Sequence, residues 1–138
     1  MQFKNSKYFS RLKHNQLETP YGHFYFCDKF IISEINEGCH IDWKHLEAFI
    51  HEVFNFYGEN PKIGYISNRI NNYSIDPQNW VKAQNQYSFL LTSAIVTYKK
   101  SSYNVAALEK HFSKLKINRC DSLEEAIHWM ENLDVFKD

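Results

Sequence analysis

The sequence predicts an α/β domain: a mixed β-sheet with an antiparallel N-terminal hairpin and about four helices packed on it. Three observations carry that expectation. Residues 20–36 hold two apolar runs separated by Asp28-Lys29, which is a hairpin signal. Downstream, stretches with apolar residues every three or four positions alternate with short runs rich in β-branched residues. At 138 residues the chain is the size of one domain, able to bury about two thirds of the surface its unfolded form exposes. Residues 1–138 therefore read as a single unit.

Taken in order, residues 1–19 show no clear period and read as a poorly ordered segment or a ragged edge strand through Leu12 and Leu17. Tyr21 to Cys27 alternates through His23, Phe24, Tyr25 and Phe26, and Phe30-Ile31-Ile32-Ser33-Glu34-Ile35 returns antiparallel to it. Asn36-Glu37-Gly38 marks a turn. Asp42 is placed to cap a helix whose apolar residues Trp43, Leu46, Ile50, Val53 and Tyr57 recur at helical spacing, with Gly58 as a left-handed stop. Ile63 to Ile66 reads as a short buried strand and 67–76 as the polar loop after it. Asp76-Pro77 starts a helix that runs to about Tyr87, because the carboxylate accepts from free N–H groups while proline suits the first turn. Leu90 to Tyr98 is another strand, followed by a helix with Val105, Leu108 and Phe112 on one face. Leu115 to Arg119 is a weak last strand. Ser122 and Glu125 have capping-box spacing ahead of a helix that buries Leu123, Ala126, Ile127, Met130 and Leu133.

Composition narrows the function classes. Hydrophobic residues make up 43% of the chain, a little low, but 11 Phe, 9 Tyr and 3 Trp supply enough apolar area for a core without staples. Sixteen basic and sixteen acidic side chains cancel, which removes the term that drives non-specific nucleic-acid binding, so no nucleic acid is expected. The small basic clusters Lys99-Lys100 and Lys110-His111 with Lys114 and Lys116 read as solvated faces. No run approaches the roughly 18 apolar residues of a membrane span, and Met1-Gln2-Phe3-Lys4-Asn5 is unlike a signal peptide, so the expected location is cytoplasmic. Cys27, Cys39 and Cys120 are odd in number and widely spaced, and read as small apolar residues.

Catalytic signatures are missing. There is no Gly-x-Ser-x-Gly elbow and no phosphate-cradling loop, and with four glycines in the chain an enzyme is not expected. No cofactor or metal is expected either. His45 and His51 are six apart, about 600° of rotation at about 100° per residue, so they occupy different faces of their helix. Glu34 with Glu37, and Glu124 with Glu125, have sufficient explanations in a hairpin end and a helical first turn. The candidate surface is the loop 67–76. Arg69 can fork onto a carboxylate or phosphate, with Ser67, Asn68, Asn71, Tyr73 and Ser74 around it, or can pair with Asp76 or Glu37 and order the loop. The aromatics Tyr65, Tyr73, Trp80 and Tyr87 read as packing.

The hairpin ending in Glu34-Ile35-Asn36-Glu37-Gly38, the Gly64-Tyr65-Ile66-Ser67-Asn68-Arg69 segment, Ala94-Ile95-Val96-Thr97-Tyr98, Leu108-Glu109-Lys110-x-Phe112 and Ser122-Leu123-Glu124-Glu125-Ala126-Ile127-x-Trp129 together resemble the SpoIIAA-like proteins of the STAS superfamily, in particular a small uncharacterised bacterial subgroup. The resemblance covers roughly residues 20–133. It implies a regulatory, non-catalytic role, since the best-known members are anti-sigma-factor antagonists switched by phosphorylation of a serine ahead of a helix. Related architecture occurs in CRAL-TRIO lipid carriers. This chain departs from the antagonists' Asp-Ser-Ser/Thr-Gly pattern, reading Asn71-Asn72-Tyr73-Ser74-Ile75-Asp76-Pro77 in that interval. Ser74 is the candidate phosphosite by position, although a phosphate there would meet repulsion from Asp76. The expected function is recognition of a protein partner through 67–76. The alternative is a carrier or sensor of a small amphipathic ligand with Arg69 at its mouth, and homodimerisation through the hairpin edge or an aromatic helix face is a third expectation.

Overall fold

The computed structural model of the chain describes residues 1–59, 61–87, 90–99, 117–133 and 136. The helix expected at Val105, Leu108 and Phe112, the basic residues 110–116 and the Trp80 side chain lie outside what it describes. Its strands are β1 (His14–Thr19), β2 (Gly22–Cys27), β3 (Phe30–Ile35), β4 (His40–Ile41), β5 (Ile63–Arg69), β6 (Ser74–Ile75), β7 (Leu90–Thr97) and β8 (Ile117–Cys120). Its α-helices are α1 (Tyr8–Arg11), α2 (Trp43–Tyr57), α3 (Pro77–Gln86) and α4 (Leu123–Glu131). Among the described residues, a six-stranded sheet has the order β1-β2-β3-β5-β7-β8, and β4 and β6 form a separate parallel pair. The β1, β2 and β3 pairings are antiparallel, whereas β3, β5, β7 and β8 run parallel. The mixed sheet with an antiparallel N-terminal edge is as the sequence predicts.

Helices cover both faces, which is why every residue of β3 and β5 is buried. Alternate residues enter opposite cores. Phe24, Phe26, Ile31, Ile35, Ile63 and Tyr65 pack under α2 with Leu46, Phe49, Ile50 and Val53, and Phe24 stacks on Phe49 at 4.5 Å. Tyr25, Phe30, Ile32, Ile66, Ala94 and Val96 face α4 through Leu123, Ala126, Ile127 and Met130. Gly22 is required by close approach, since a Cβ there would stand 2.6 Å from the Glu34 carbonyl oxygen in the adjoining strand.

Helix ends follow local chemistry with two corrections. Asp42 accepts from the His45 N–H at 3.2 Å and the Asp42 N–H donates to His45 Nδ1 at 3.2 Å, a reciprocal box that gives His45 a structural role. Gly58 ends α2 at positive φ, but with φ +87° and ψ −166° it is extended rather than left-handed helical. At α4, Ser122 accepts from the Glu125 N–H at 3.0 Å as expected, whereas Glu125 reaches one residue further back and accepts from Asp121 N at 2.9 Å.

The N-terminal segment is more ordered than its sequence suggests. A 3-10 turn (Phe3–Asn5) and α1 precede β1, which is the edge strand. Phe3 is fully buried, 4.7 Å from Tyr25 and 5.1 Å from His14 between ring centres. One aromatic side chain anchors a stretch that has no periodicity to read.

Candidate functional site

In open α/β sheets, ligands gather beyond the carboxyl ends of parallel strands. Here β3, β5 and β7 end in Ser33-Glu34-Ile35, Ser67-Asn68-Arg69 and Thr97, all buried. This corrects one expectation: Ser67, Asn68 and Arg69 are not loop residues. They complete β5 and are exposed by only 3%, 1% and 4%. The strand outlasts its apolar run because pairing with β7 continues through Ser67↔Ile95, Asn68↔Val96 and Arg69↔Thr97, and the backbone ladder does not depend on apolar side chains.

The pleat sends these residues to opposite sides. On the α2 side, Ser67 Oγ lies 2.9 Å from Tyr73 Oη, and the Arg69 guanidinium sits over the Tyr73 ring at 4.7 Å. Glu37 and Asp76, the two acidic residues considered beside Arg69, each accept a backbone N–H as well. Glu37 Oε2 accepts the Asn72 N–H at 2.6 Å, and Asp76 Oδ1 caps α3 by accepting from Gln78 N at 3.0 Å. Beyond β5, residues 70–76 are tied to 35–41 along their length: Asn71 Nδ2 donates to Ile35 O at 3.0 Å, Gly38 N to Asn72 O at 2.7 Å and Ser74 N to Cys39 O at 2.9 Å. His40 Nδ1 and Ser74 Oγ are 2.7 Å apart. The expected loop is therefore a two-stranded ribbon, β4 on β6, exposing Glu37, His40, Asn72, Ser74 and Asp76.

On the α4 side, Asn68 is at the centre of a closed network. Its Nδ2 donates to Glu34 Oε2 at 2.8 Å and to Met1 O at 2.9 Å, while its Oδ1 accepts from Tyr98 Oη at 2.7 Å. Glu34 Oε2 also accepts the Phe3 N–H at 2.7 Å. Glu34 is 4% exposed. Burial, and then the Glu34 carboxyl, push the Tyr98 hydroxyl up to about 12, and burial followed by Glu34 and Glu18 does the same to Tyr25. Both phenols stay protonated and can donate at neutral pH. Sequence reasoning set Glu34 aside as a hairpin-end residue and gave Tyr98 no role. The signal available was a charged residue inside a strand, Phe30 to Ile35, that is apolar but for Ser33, a position where a carboxylate needs partners.

Among the described residues no group of three His, Cys, Asp or Glu side chains is placed to hold a metal. Burial raises the Cys27 thiol to about 12 and the Cys120 thiol to about 11, which leaves both unreactive as nucleophiles. The cavity between Tyr21, Phe24, Phe49, Tyr65 and Tyr73 holds about 30 Å³, the room of a water molecule. Among the described residues no helix is long and apolar enough to cross a membrane.

This six-stranded mixed sheet, with its parallel half covered by helices, is a fold the chain shares with a solved SpoIIAA-like protein. The chain is similar to an uncharacterised protein of the DUF3478 family with a SpoIIAA-like fold from Shewanella loihica PV-4, with a TM-score of 0.50 and 7% sequence identity over 86% of this chain and 93% of that one. No protein-family model and no curated protein matches the chain.

Proposed function

We infer that the chain is a non-catalytic, cytoplasmic, regulatory recognition domain that engages a protein partner through the 36–41/70–76 ribbon. The observation that carries this reading is the bonding of residues 70–76 to 36–41, which presents His40, Asn72 and Ser74 on a preorganised edge. Ser67 and Arg69 are too buried to touch a partner at the ribbon and serve as its foundation, with Arg69 stacked on Tyr73, whereas Asn68 faces the opposite side of the sheet. A carrier of amphipathic ligands draws no support from the aromatic cavity at Tyr73, because about 30 Å³ is far below the several hundred Å³ such a ligand needs. A phosphoserine at 74 would find the Gln78 N–H already taken by Asp76, so phosphorylation would act on partner binding by charge rather than by docking on α3.

The test is crosslinking capture from native lysate with the natural protein and with Asn72→Ala/His40→Ala. A partner captured by the first and lost from the second supports the reading. Capture indifferent to the ribbon, or dependent only on the opposite face of the sheet, rejects it.

A further inference from the structure

On the α4 side, Glu34, Asn68 and Tyr98 hold a length of backbone. Glu34 Oε2 accepts the Phe3 N–H at 2.7 Å, and Asn68 Nδ2 donates to the carbonyl two residues earlier, at Met1, at 2.9 Å. The bonds of Asn68 to Glu34 and Tyr98 orient all three side chains independently of that backbone. An acceptor for one N–H and a donor for the carbonyl two residues before it is how a groove reads an extended peptide, and the buried Phe3 ring against Tyr25 and His14 is the side-chain anchor.

Two features argue that the occupant exchanges. Glu34 is 4% exposed and, among the described residues, has no basic side chain paired with it; satisfying a permanently docked N–H requires no buried charge, and burying one is costly. The segment is also weakly held at its outer end. Its outer latch is the Lys7–Glu124 ion pair at 3.2 Å, with side chains 58% and 64% exposed, a pairing of little strength. Next to it lies an open cleft of about 380 Å³ lined by Met1, Lys7, Tyr8, Tyr98, Ser122 and Glu124.

We propose that Glu34, Asn68 and Tyr98 form a peptide-binding site whose intramolecular occupant is the segment 1–6, and that it takes in exchange an extended segment of a partner protein bearing an aromatic residue in place of Phe3. The site faces away from the ribbon and does not depend on its function. While the segment is docked, a competing peptide meets it at high effective concentration, so weakening the segment raises apparent affinity.

The test uses full-length protein and a synthetic peptide of residues 1–11 as probe, read by NMR shifts of the Asn68 side-chain amide. Phe3→Ala protein should bind the peptide about tenfold or more tighter than natural protein. The same peptide methylated on the Phe3 nitrogen, or carrying Phe3→Ala, should lose about tenfold or more, because each removes one element of the readout. If Phe3→Ala protein does not fold, Ser6→Ala/Lys7→Ala, which loosens the Ser6 Oγ to Phe3 O bond of 2.7 Å and the Lys7 latch, should rank the three peptides the same way. Equal binding of all three peptides, or no binding to either variant, overturns the proposal. A dimer that requires Phe3 overturns it in favour of segment exchange between two copies.

Discussion

β5 delivers neighbouring residues to the two sides of the sheet's carboxyl end, and the two sides use them differently. On the α4 side Asn68 is satisfied within the chain, and Phe3 closes the network from above. On the α2 side Ser67 and Arg69 are equally buried, yet they brace Tyr73 and a ribbon whose outer atoms meet solvent. One strand end thus makes a site occupied by the chain's own N-terminal segment and a presented surface. The difference is set by what packs on each face rather than by the polarity of the strand itself.

The comparison breaks most visibly at Phe3. Phe3→Ala should cost about 3 kcal/mol in urea unfolding despite its place near the chain end, because a fully buried ring is lost from the α4 side. A loss under about 0.5 kcal/mol, the size of an ordinary surface change, would show that the segment is not part of the core.

Glu34→Ala comes next, at about 2 kcal/mol, since it strands the Phe3 N–H and the Asn68 amide. Glu34→Gln keeps an acceptor there and should cost less. If Gln proves the worse of the two, the carboxylate is needed for its charge rather than as an acceptor.

The third effect is a pH dependence. Tyr25 and Tyr98 have folded values of about 12, against about 10 in an unfolded chain. The folded state then holds protons that the unfolded state has released, so stability from this source is complete below about pH 10 and falls as pH rises toward 12. Urea midpoints across that window should flatten in Tyr25→Phe/Tyr98→Phe. Part of the slope should remain, because burial also raises Tyr21 and Tyr57 on the α2 side.

Smallest should be the ribbon variants. Asn72→Ala and Ser74→Ala remove exposed side chains and should shift stability by no more than about 0.5 kcal/mol. A larger loss in the unfolding midpoint would make the ribbon structural rather than a docking edge.

Much of the architecture was legible because it follows from local rules. The hairpin, α2 behind Asp42, α3 behind Asp76-Pro77 and α4 behind Ser122 each announce themselves by period and cap. The site was half legible. Asn71, Tyr73 and Ser74 do lie on the segment predicted, but Ser67, Asn68 and Arg69 sit inside β5 because hydrogen bonding to β3 and β7 carries the strand past its last apolar residue. β4 and β6 have only two residues each and pair across more than thirty positions of chain, so no local pattern can reveal them.

By itself, then, the sequence determined the elements and the layers, because period, caps and turn residues act within a few positions of one another. Which polar residues would meet was decided only by the tertiary structure. Phe3 to Glu34, Glu34 to Asn68 and Asn68 to Tyr98 are contacts over 31, 34 and 30 positions. They exist because parallel pairing brings the ends of β3, β5 and β7 together, and because a single buried aromatic draws the N-terminal segment over them.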